Sequence, residues 1–227
     1  MQKKLPIYEH FFTWQGEGIH QGRAAYFVRT FGCPVHCPWC DSAGTWHPNY
    51  VPDSIDKISA GELIDSALKK KPSFLLITGG EPTIHDLNEL TELAHDQSLP
   101  VHLETSGAFP IKGSFDWITL SPKIWKQPLK ENILLADEIK IIVDSVDCIE
   151  NWFTTHPEIL KCKVVWLHPE WTQRKNPLIL DAITETIKTY GDPLRAGYQL
   201  HKLYFADEKD PGCKPNIPIG GDPKLGY

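Results

Sequence analysis

Short runs of β-branched and other apolar residues alternate with helix-forming segments along most of this 227-residue chain. Strands that alternate with helices in this way predict a parallel sheet with crossover helices, which is the α/β class. The predicted strands are residues 24–29, 74–78, 101–104, 117–120, 138–143, 163–167 and 196–200. The predicted helices are residues 59–70, 87–96 and 177–190. The first helix is expected to begin with Ser59 and Glu62, which have the spacing of a capping box.

The length of the chain limits how far such a sheet can close. A complete eight-stranded β/α barrel usually takes about 250 residues. Here residues 1–40 are expected to go largely to a loop, and the C-terminal residues show no periodicity, so we predict a partial (open) TIM-like β/α barrel. We expect one domain over residues 1–206 and an irregular C-terminal extension, rich in glycine and proline, over residues 207–227.

The charge and hydropathy of the chain disfavour two classes of partner. The formal net charge is −6 at pH 7, which gives no basic footprint for a nucleic-acid backbone. No segment approaches the ~20 consecutive apolar residues that span a membrane, and the first residues lack the apolar run of a signal peptide. We therefore expect a cytoplasmic protein that acts on a small molecule, without nucleic acid or membrane.

Three of the six cysteines lie within eight residues, as Cys33, Cys37 and Cys40. Cysteines so closely spaced in a reducing compartment are more often metal ligands than disulfides. Prolines between them prevent a regular helix, so the loop must wrap around a bound group. A 4Fe-4S cluster and a zinc ion both accept such a loop, and His36 or His47 is available as a fourth zinc ligand. The other three cysteines lack cluster spacing and are expected to be ordinary thiols: Cys148, Cys162 and Cys213.

The CxxxCxxC spacing favours the cluster, because closed zinc sites more often bring paired CxxC arms. Three thiolates leave one iron of the cluster open, and an aromatic residue directly before the third cysteine, here Trp39, resembles the pattern of the radical S-adenosylmethionine (SAM) superfamily. The amino and carboxylate groups of SAM can chelate an open iron, and one electron then cleaves a sulfur–carbon bond to give a 5′-deoxyadenosyl radical. Such chemistry requires a site that holds SAM and substrate rigidly and excludes water.

Polar and glycine-rich segments follow three successive predicted strands. They are TGGEP at residues 78–82, ETSG at residues 104–107 and SPK at residues 121–123. Glycines allow a backbone to approach a ligand closely, and the carboxyl ends of parallel strands meet at one edge of the sheet. The sequence therefore predicts a ligand-binding rim at this edge.

Together and in this order, the motifs resemble one family, 7-carboxy-7-deazaguanine synthase, over nearly the whole chain up to about residue 206. Further matching segments are QGEG at residues 15–18, Arg29, CDS at residues 40–42, Thr45-Trp46 and His201-Lys202. The resemblance implies the open barrel of radical SAM enzymes and a ring contraction of 6-carboxy-5,6,7,8-tetrahydropterin to 7-carboxy-7-deazaguanine with loss of ammonia, in queuosine and related deazapurine biosynthesis. It also implies recycled SAM, a need for Mg²⁺, a homodimer, and a flavodoxin-like or ferredoxin-like electron donor.

The resemblance also implies roles for individual residues. Substrate-binding residues are Trp14, Gln15, Gly16, Arg29, Thr78, Glu104 and His201. SAM-binding residues are Trp39, Cys40, Asp41, Gly80, Ser121, Pro122, Lys123 and His168, the last standing where the family usually has glutamine. Ser42 is the expected Mg²⁺ ligand, with Asp41 as the alternative oxygen donor.

Two other functions use the same cysteine loop. A glycyl-radical-enzyme activase shares the cysteine spacing but acts on a protein, so the QGEG segment and Arg29 would have no use in it. A zinc-binding structural module would be non-enzymatic. Many members of the family end shortly after the His-Lys pair and use the terminal carboxylate region near the substrate. This chain instead continues to Tyr227, so the resemblance does not extend to the group that closes the site.

Overall fold

A computed structural model describes residues 4–214 of the chain. Within this range the strands are β1 Lys4–Trp14, β2 Ala24–Thr30, β3 Asp56–Ser59, β4 Phe74–Gly79, β5 Val101–Thr105, β6 Trp117–Leu120, β7 Glu138–Val143, β8 Val165–Pro169 and β9 Leu194–Ala196. The α-helices are α1 Ala60–Leu68, α2 Asn88–Asp96, α3 Lys130–Leu135, α4 Cys148–Thr155, α5 Pro177–Tyr190 and α6 Leu200–Tyr204.

The strands form one sheet in the order β3-β1-β2-β4-β5-β6-β7-β8-β9. Neighbouring strands from β2 to β9 are parallel, whereas β1 is antiparallel to both β2 and β3. The edge strands β3 and β9 are not paired with each other in the described part of the chain, so the sheet is open. The predicted partial α/β barrel is confirmed.

The alternation of side chains along β4 explains why the sheet has a helix-covered side and an inner side. Leu75 and Ile77 join the buried cluster that packs against α1 and α2. Phe74 and Leu76 join a separate inner cluster with Phe11. Because successive side chains of a strand point to opposite faces, Thr78 lies on the inner face at the end of this row. The cores therefore leave the carboxyl ends of the strands free for a site.

Several sequence predictions need correction. Residues 1–40 are not largely loop, because β1 occupies Lys4–Trp14. The strand predicted at 196–200 is mostly wrong, since β9 ends at residue 196 and α6 begins at residue 200. The strand predicted at 163–167 begins two residues later, at Val165. The capping box of Ser59 and Glu62 is confirmed, and α1 begins directly after Ser59. The domain boundary predicted at residue 206 stays a prediction, and residues 215–227 of the expected extension lie outside the described residues.

Two imidazoles fill the barrel interior at the amino ends of the strands. His102 stacks on Phe74 with ring centroids 4.0 Å apart, and its ring lies 4.5 Å from that of His20. Burial lowers the pKa of His102 from 6.5 to about 3, and the nearby His20 acts in the same direction. Since the folded state binds fewer protons than the unfolded state, stability falls as the pH drops from about 6.5 towards 3.

We expect His102→Phe to make the fold less sensitive to acid. Phenylalanine preserves the stacking on Phe74 and removes the titrating group. In the wild type, His102 lowers the unfolding free energy by about 2 kcal/mol more at pH 5 than at pH 7. The fall in unfolding free energy between pH 7 and pH 5 should therefore be smaller by about that amount in the variant. Urea unfolding at both pH values measures this, with the half-exposed His95→Gln as control. If the unfolding free energy falls as much between pH 7 and pH 5 in His102→Phe as in the wild type, another group causes the acid sensitivity.

Candidate active site

The cysteine loop follows β2 at the carboxyl edge of the sheet. Gly32 has a φ of 100°, and His36 also has a positive φ, of 56°, which turns the chain between the first two cysteines. Between those cysteines, the Val35 side chain is buried. The backbone N–H of Gly32 donates to Thr45 O at 3.0 Å, which ties the start of the loop to the segment beyond it.

The thiols of the loop suit a metal cluster. Burial raises the pKa of Cys37 to about 12 and that of Cys40 to about 11, so cluster binding must displace their protons. The backbone N–H of Ser42 and the indole N–H of Trp46 both point at Cys40 Sγ, at 3.4 and 3.5 Å. Hydrogen bonds to sulfur tune cluster thiolates in iron–sulfur proteins. Within residues 4–214, no group of three or more His, Cys, Asp or Glu side chains is arranged to hold a single metal ion.

A cavity of about 230 Å³ lies beside the loop and gathers almost all the predicted site residues. The predicted residues that line it are Trp14, Gln15, Gly16, Arg29, Cys33, Cys37, Trp39, Cys40, Asp41, Ser42, Thr78, Gly80, Glu104, Ser121, Lys123 and His201. Pro122 and His168 are not among the lining residues. The structure thus brings the cysteine loop and the predicted rim together around one space, while the role of each residue stays a prediction.

Gly80 fits the rim closely against the cysteine loop. A Cβ atom added at Gly80 would lie 2.3 Å from Gly32 O and 2.8 Å from the Cβ of Cys33. Such distances are too short for any side chain, so only glycine permits this approach without displacing the loop.

Glu81 joins the rim segments after β4 and β5. Its side chain is 1% exposed, and Oε1 accepts hydrogen bonds from the backbone N–H of Thr83 and the hydroxyls of Thr83 and Thr105, at 3.1, 2.7 and 2.6 Å. Its Oε2 accepts from the backbone N–H of Ser106 at 2.8 Å and from the Ser106 hydroxyl. All five donors are satisfied by one carboxylate, so Glu81 holds the two segments in a fixed relation.

Arg29 reaches the cavity while held by a buried partner. Its Nε donates to Glu9 Oε1 at 2.7 Å. Burial favours the neutral guanidine, but the Glu9 carboxylate outweighs burial and raises the pKa of Arg29 above its ordinary value. No hydrogen bond joins its terminal Nη atoms to a residue in the described range, so the guanidinium fork can bind a ligand.

Asp41 and Ser42 form the oxygen-rich part of the cavity wall. The Ser42 hydroxyl donates to Asp41 Oδ1 at 3.3 Å, and Asp41 Oδ2 lies 3.0 Å from Lys202 Nζ. Burial raises the pKa of Asp41, but the Lys202 ammonium outweighs it and holds this pKa below the ordinary value. Asp41 is therefore a carboxylate near neutral pH, with oxygens suited to a hard cation.

A buried ion pair that the sequence analysis missed forms another part of the wall. Lys140 donates to Glu17 Oε2, and Gln199 Nε2 donates to Glu17 Oε1 at 2.9 Å. Burial opposes both charges, yet Glu104 and Glu17 raise the pKa of Lys140, and Lys140 lowers that of Glu17. Both groups are therefore charged, and their signal could not be found in sequence because the partners lie 123 residues apart.

The structure separates His168 from the cavity. Its side chain is 1% exposed and instead borders a neighbouring cavity under Gly197. A Cβ on Gly197 would lie 2.1 Å from His168 Nε2, and Nδ1 lies 4.0 Å from Glu17 Oε2. The backbone at Gly197 and the Glu17 carboxylate thus flank the ring, and the expected contact of His168 with SAM stays a prediction.

The start of the predicted C-terminal extension belongs to the cavity wall. Asp207 lines the cavity, and burial raises its pKa. Further along, the backbone N–H of Lys214 donates to Glu9 Oε2 at 2.5 Å, and Cys213 packs against the inner cluster that contains Phe11. Residues 207–214 therefore cover β1 and support the Glu9 carboxylate that holds Arg29.

Comparison with known proteins identifies relatives. The family Fer4_12, described as a 4Fe-4S single cluster domain, matches residues 14–144. Proteins named 7-carboxy-7-deazaguanine synthase from Synechocystis and Flavobacterium psychrophilum are 49% identical over 166 residues and 35% identical over 200 residues. These alignments cover 73% and 87% of this chain, and 78% and 90% of the relatives. The crystal structure of QueE from Escherichia coli matches with a TM-score of 0.73 at 30% identity, over 87% of this chain and 95% of that one.

Proposed function

Because the chain belongs to the 7-carboxy-7-deazaguanine synthase family, we propose that it is a radical SAM carbon–nitrogen lyase. It converts 6-carboxy-5,6,7,8-tetrahydropterin to 7-carboxy-7-deazaguanine with loss of ammonia, in queuosine biosynthesis. The observation that carries this assignment is the single cavity shared by the three-cysteine loop and the rim. Family membership favours the lyase over the activase and the zinc module.

Its cofactors are a 4Fe-4S cluster, SAM and Mg²⁺. When bound at the reduced cluster, SAM supplies the 5′-deoxyadenosyl radical that removes a hydrogen atom from the substrate. We propose that Trp39, Asp41 and Lys123 hold SAM, while Gly80 lets the rim backbone approach it. Lys123 is already oriented, because its ammonium donates to Ser121 Oγ at 3.0 Å and lies 5.4 Å from the centre of the Trp39 ring.

The opposite wall offers complementary groups for the carboxypterin. The planar fork of Arg29 matches the substrate carboxylate, and Glu9 fixes its direction. Glu104 is oriented by Gln15, whose Nε2 donates to Glu104 Oε1 at 2.8 Å. Glu104 Oε2 is then directed to accept from the amino and ring N–H groups of the pterin. Trp14, Gly16, Thr78 and His201 complete this wall.

An ion pair and a close glycine contact shape one side of the cavity. Lys140 and Glu17 neutralise each other, so the wall presents little net charge to a radical reaction. Close packing of Gly16 against His201 narrows the same side, since a Cβ on Gly16 would overlap the imidazole at 2.1 Å. A narrow cavity keeps the reactive carbon next to the substrate.

The direct test is a product assay. The protein is reconstituted with iron and sulfide under anaerobic conditions and incubated with SAM, dithionite, Mg²⁺ and 6-carboxytetrahydropterin. We expect the deazaguanine chromophore, with the product mass confirmed by mass spectrometry. Cleavage of SAM to 5′-deoxyadenosine without any deazaguanine would contradict the proposed substrate while leaving the radical SAM assignment intact.

Ser42 is the proposed protein ligand of Mg²⁺. Magnesium prefers oxygen ligands and keeps several waters, so one protein oxygen and the substrate carboxylate suffice to place it. Ser42→Ala should keep the cluster spectrum and SAM cleavage but lose most of the stimulation of product formation by Mg²⁺. Product formation is measured against Mg²⁺ concentration for both proteins, with Ser66→Ala in α1 as control. Superimposable curves for wild type and Ser42→Ala would remove Ser42 from the metal site and leave Asp41 as the oxygen donor.

The partners of the reaction complete the proposal. The enzyme acts on a small molecule, and no helix in the described range has the length and apolar character needed to cross a membrane. We propose that it works as a homodimer in the cytoplasm and receives electrons from a flavodoxin-like or ferredoxin-like protein.

A further inference from the structure

Asp207 reaches the cavity through a sharp turn that follows α6. Phe205, the residue after the helix, has a positive φ of 50°, and the backbone N–H of Ala206 donates to His201 O at 3.2 Å. Ala206 is itself buried. The turn therefore leads the chain from α6 directly to Asp207, and both Asp207 and His201 line the cavity.

The residues after Asp207 pack on β1, which fixes the segment from its other side. A Cβ on Gly212 would lie 2.5 Å from His10 O in β1, so only glycine permits this close approach. Asp210 Oδ1 accepts from the backbone N–H of Gly212 at 2.8 Å, which holds the local turn. Because α6 precedes Asp207 and β1 supports the residues that follow it, the fold defines the position of its carboxylate.

The Asp207 carboxylate is left without a donor among the described residues. Within residues 4–214 its oxygens form no hydrogen bond or ion pair with another side chain. Burial raises the pKa of Asp207, and His201 and Arg29 act against burial. The carboxylates of Glu9 and Asp41 add to the effect of burial. A partly buried carboxylate in a cavity wall, with no donor from the protein, is available to a donor on the ligand.

Arg29 determines which part of the ligand reaches Asp207. Against burial, Glu9 raises the pKa of Arg29, and the Asp207 carboxylate acts in the same direction without forming an ion pair. The two groups are therefore close in the cavity wall but not in contact. A substrate carboxylate bound by the Arg29 fork then lies beside Asp207, together with the ring atom next to the carbon that carries this carboxylate.

Comparison of the substrate with the product identifies that ring atom. In 6-carboxy-5,6,7,8-tetrahydropterin, N5 is bonded to the carbon that carries the carboxylate, and N5 carries a hydrogen. In 7-carboxy-7-deazaguanine the same carbon is bonded directly to the pyrimidine ring, so N5 is the nitrogen lost as ammonia. The amino group proposed to meet Glu104 lies at the opposite end of the ring system. An acceptor near Arg29 thus meets the N5–H group.

We propose that Asp207 is a substrate-recognition residue that accepts a hydrogen bond from the N5–H group of the carboxypterin. This inference rests on the proposed function, because N5–H belongs to that substrate. The contact orients the nitrogen that leaves and selects the tetrahydropterin over its oxidised form, in which N5 has a lone pair and no hydrogen. Asp207 forms and breaks no covalent bond in this role.

The test compares the binding of two pterins without turnover. Reconstituted protein with SAM and Mg²⁺, but without reductant, is titrated calorimetrically under anaerobic conditions. The ligands are 6-carboxy-5,6,7,8-tetrahydropterin and the fully oxidised 6-carboxypterin, which differ in the hydrogen at N5. The variants are Asp207→Asn and Asp207→Ala. Glu208→Gln is the matched control, because Glu208 is the next residue, is exposed and does not line the cavity.

We expect the wild type to bind the tetrahydropterin at least about tenfold more tightly than the oxidised pterin. Both Asp207 variants should lose most of this preference, because neither keeps the charged acceptor and the asparagine amide can donate to the N5 lone pair. The preference in Glu208→Gln should match that of the wild type. The affinity for SAM should stay within about twofold in every variant.

A wild-type preference in Asp207→Asn and Asp207→Ala would overturn the inference and leave the proposed function intact. An equal loss of preference in Glu208→Gln would also overturn it, since the effect would then not depend on a group in the cavity. If the wild type binds neither pterin and makes no product with dithionite, the proposed function fails and the inference fails with it.

Discussion

Replacing any one of Cys33, Cys37 and Cys40 by alanine is expected to abolish both the iron–sulfur cluster and product formation. The loop brings three thiolates, one to each of three irons, and two thiolates cannot hold a 4Fe-4S cluster with a single open iron. Iron content and the charge-transfer absorbance after anaerobic reconstitution measure the first effect. The product assay should show no activity above background.

The matched control is Cys148→Ala. Cys148 packs against the outer core, and its Sγ lies 3.4 Å from Ile142 O. This variant should keep its iron, with a modest loss of stability from the missing sulfur contact. Retention of a full cluster in a loop variant, or loss of iron in Cys148→Ala, would show that the ligands have been misassigned.

Arg29→Lys should raise KM for the carboxypterin by about thirtyfold, equivalent to about 2 kcal/mol. Lysine keeps the positive charge but loses the planar fork, and it cannot both donate to Glu9 and present two parallel N–H groups to a carboxylate. The affinity for SAM, measured by calorimetry on the reconstituted protein, should stay within about twofold of wild type.

Glu9→Gln provides a matched comparison, since it keeps Arg29 but removes the carboxylate that orients it. A smaller rise in KM is expected there. Equal damage to SAM binding and substrate binding in Arg29→Lys would move Arg29 out of the substrate pocket, as would an unchanged KM.

The central strands were predictable because their residues repeat a simple physical pattern. β4 is a continuous apolar run up to Ile77, β7 is rich in β-branched residues around Lys140, and both faces of a parallel strand are covered. By contrast, β1 carries the buried polar residues Glu9 and Thr13, and Glu9 holds Arg29 at the cavity, so the sequence of β1 does not show the pattern of a buried strand. Polar residues that serve the site thus interrupt the apolar pattern from which β1 could have been predicted.

The site was predictable where chemistry is encoded locally and unpredictable where it depends on distant partners. The cysteine loop and the TGGEP segment have meaning within a few residues. Lys140 and Glu17 form part of the cavity wall only once folding brings β7 next to the QGEG segment. Asp207 was assigned to the C-terminal extension because its neighbours lack periodicity. His168 was placed by its family position alone, and it lies outside the cavity lining.

Glu81 joins the segments after β4 and β5 through hydrogen bonds within the protein itself. The conformational entropy of these segments is therefore lost during folding rather than on binding. Cofactor affinity and thermal stability then depend on the same five hydrogen bonds, so substitutions near Glu81 should weaken both together.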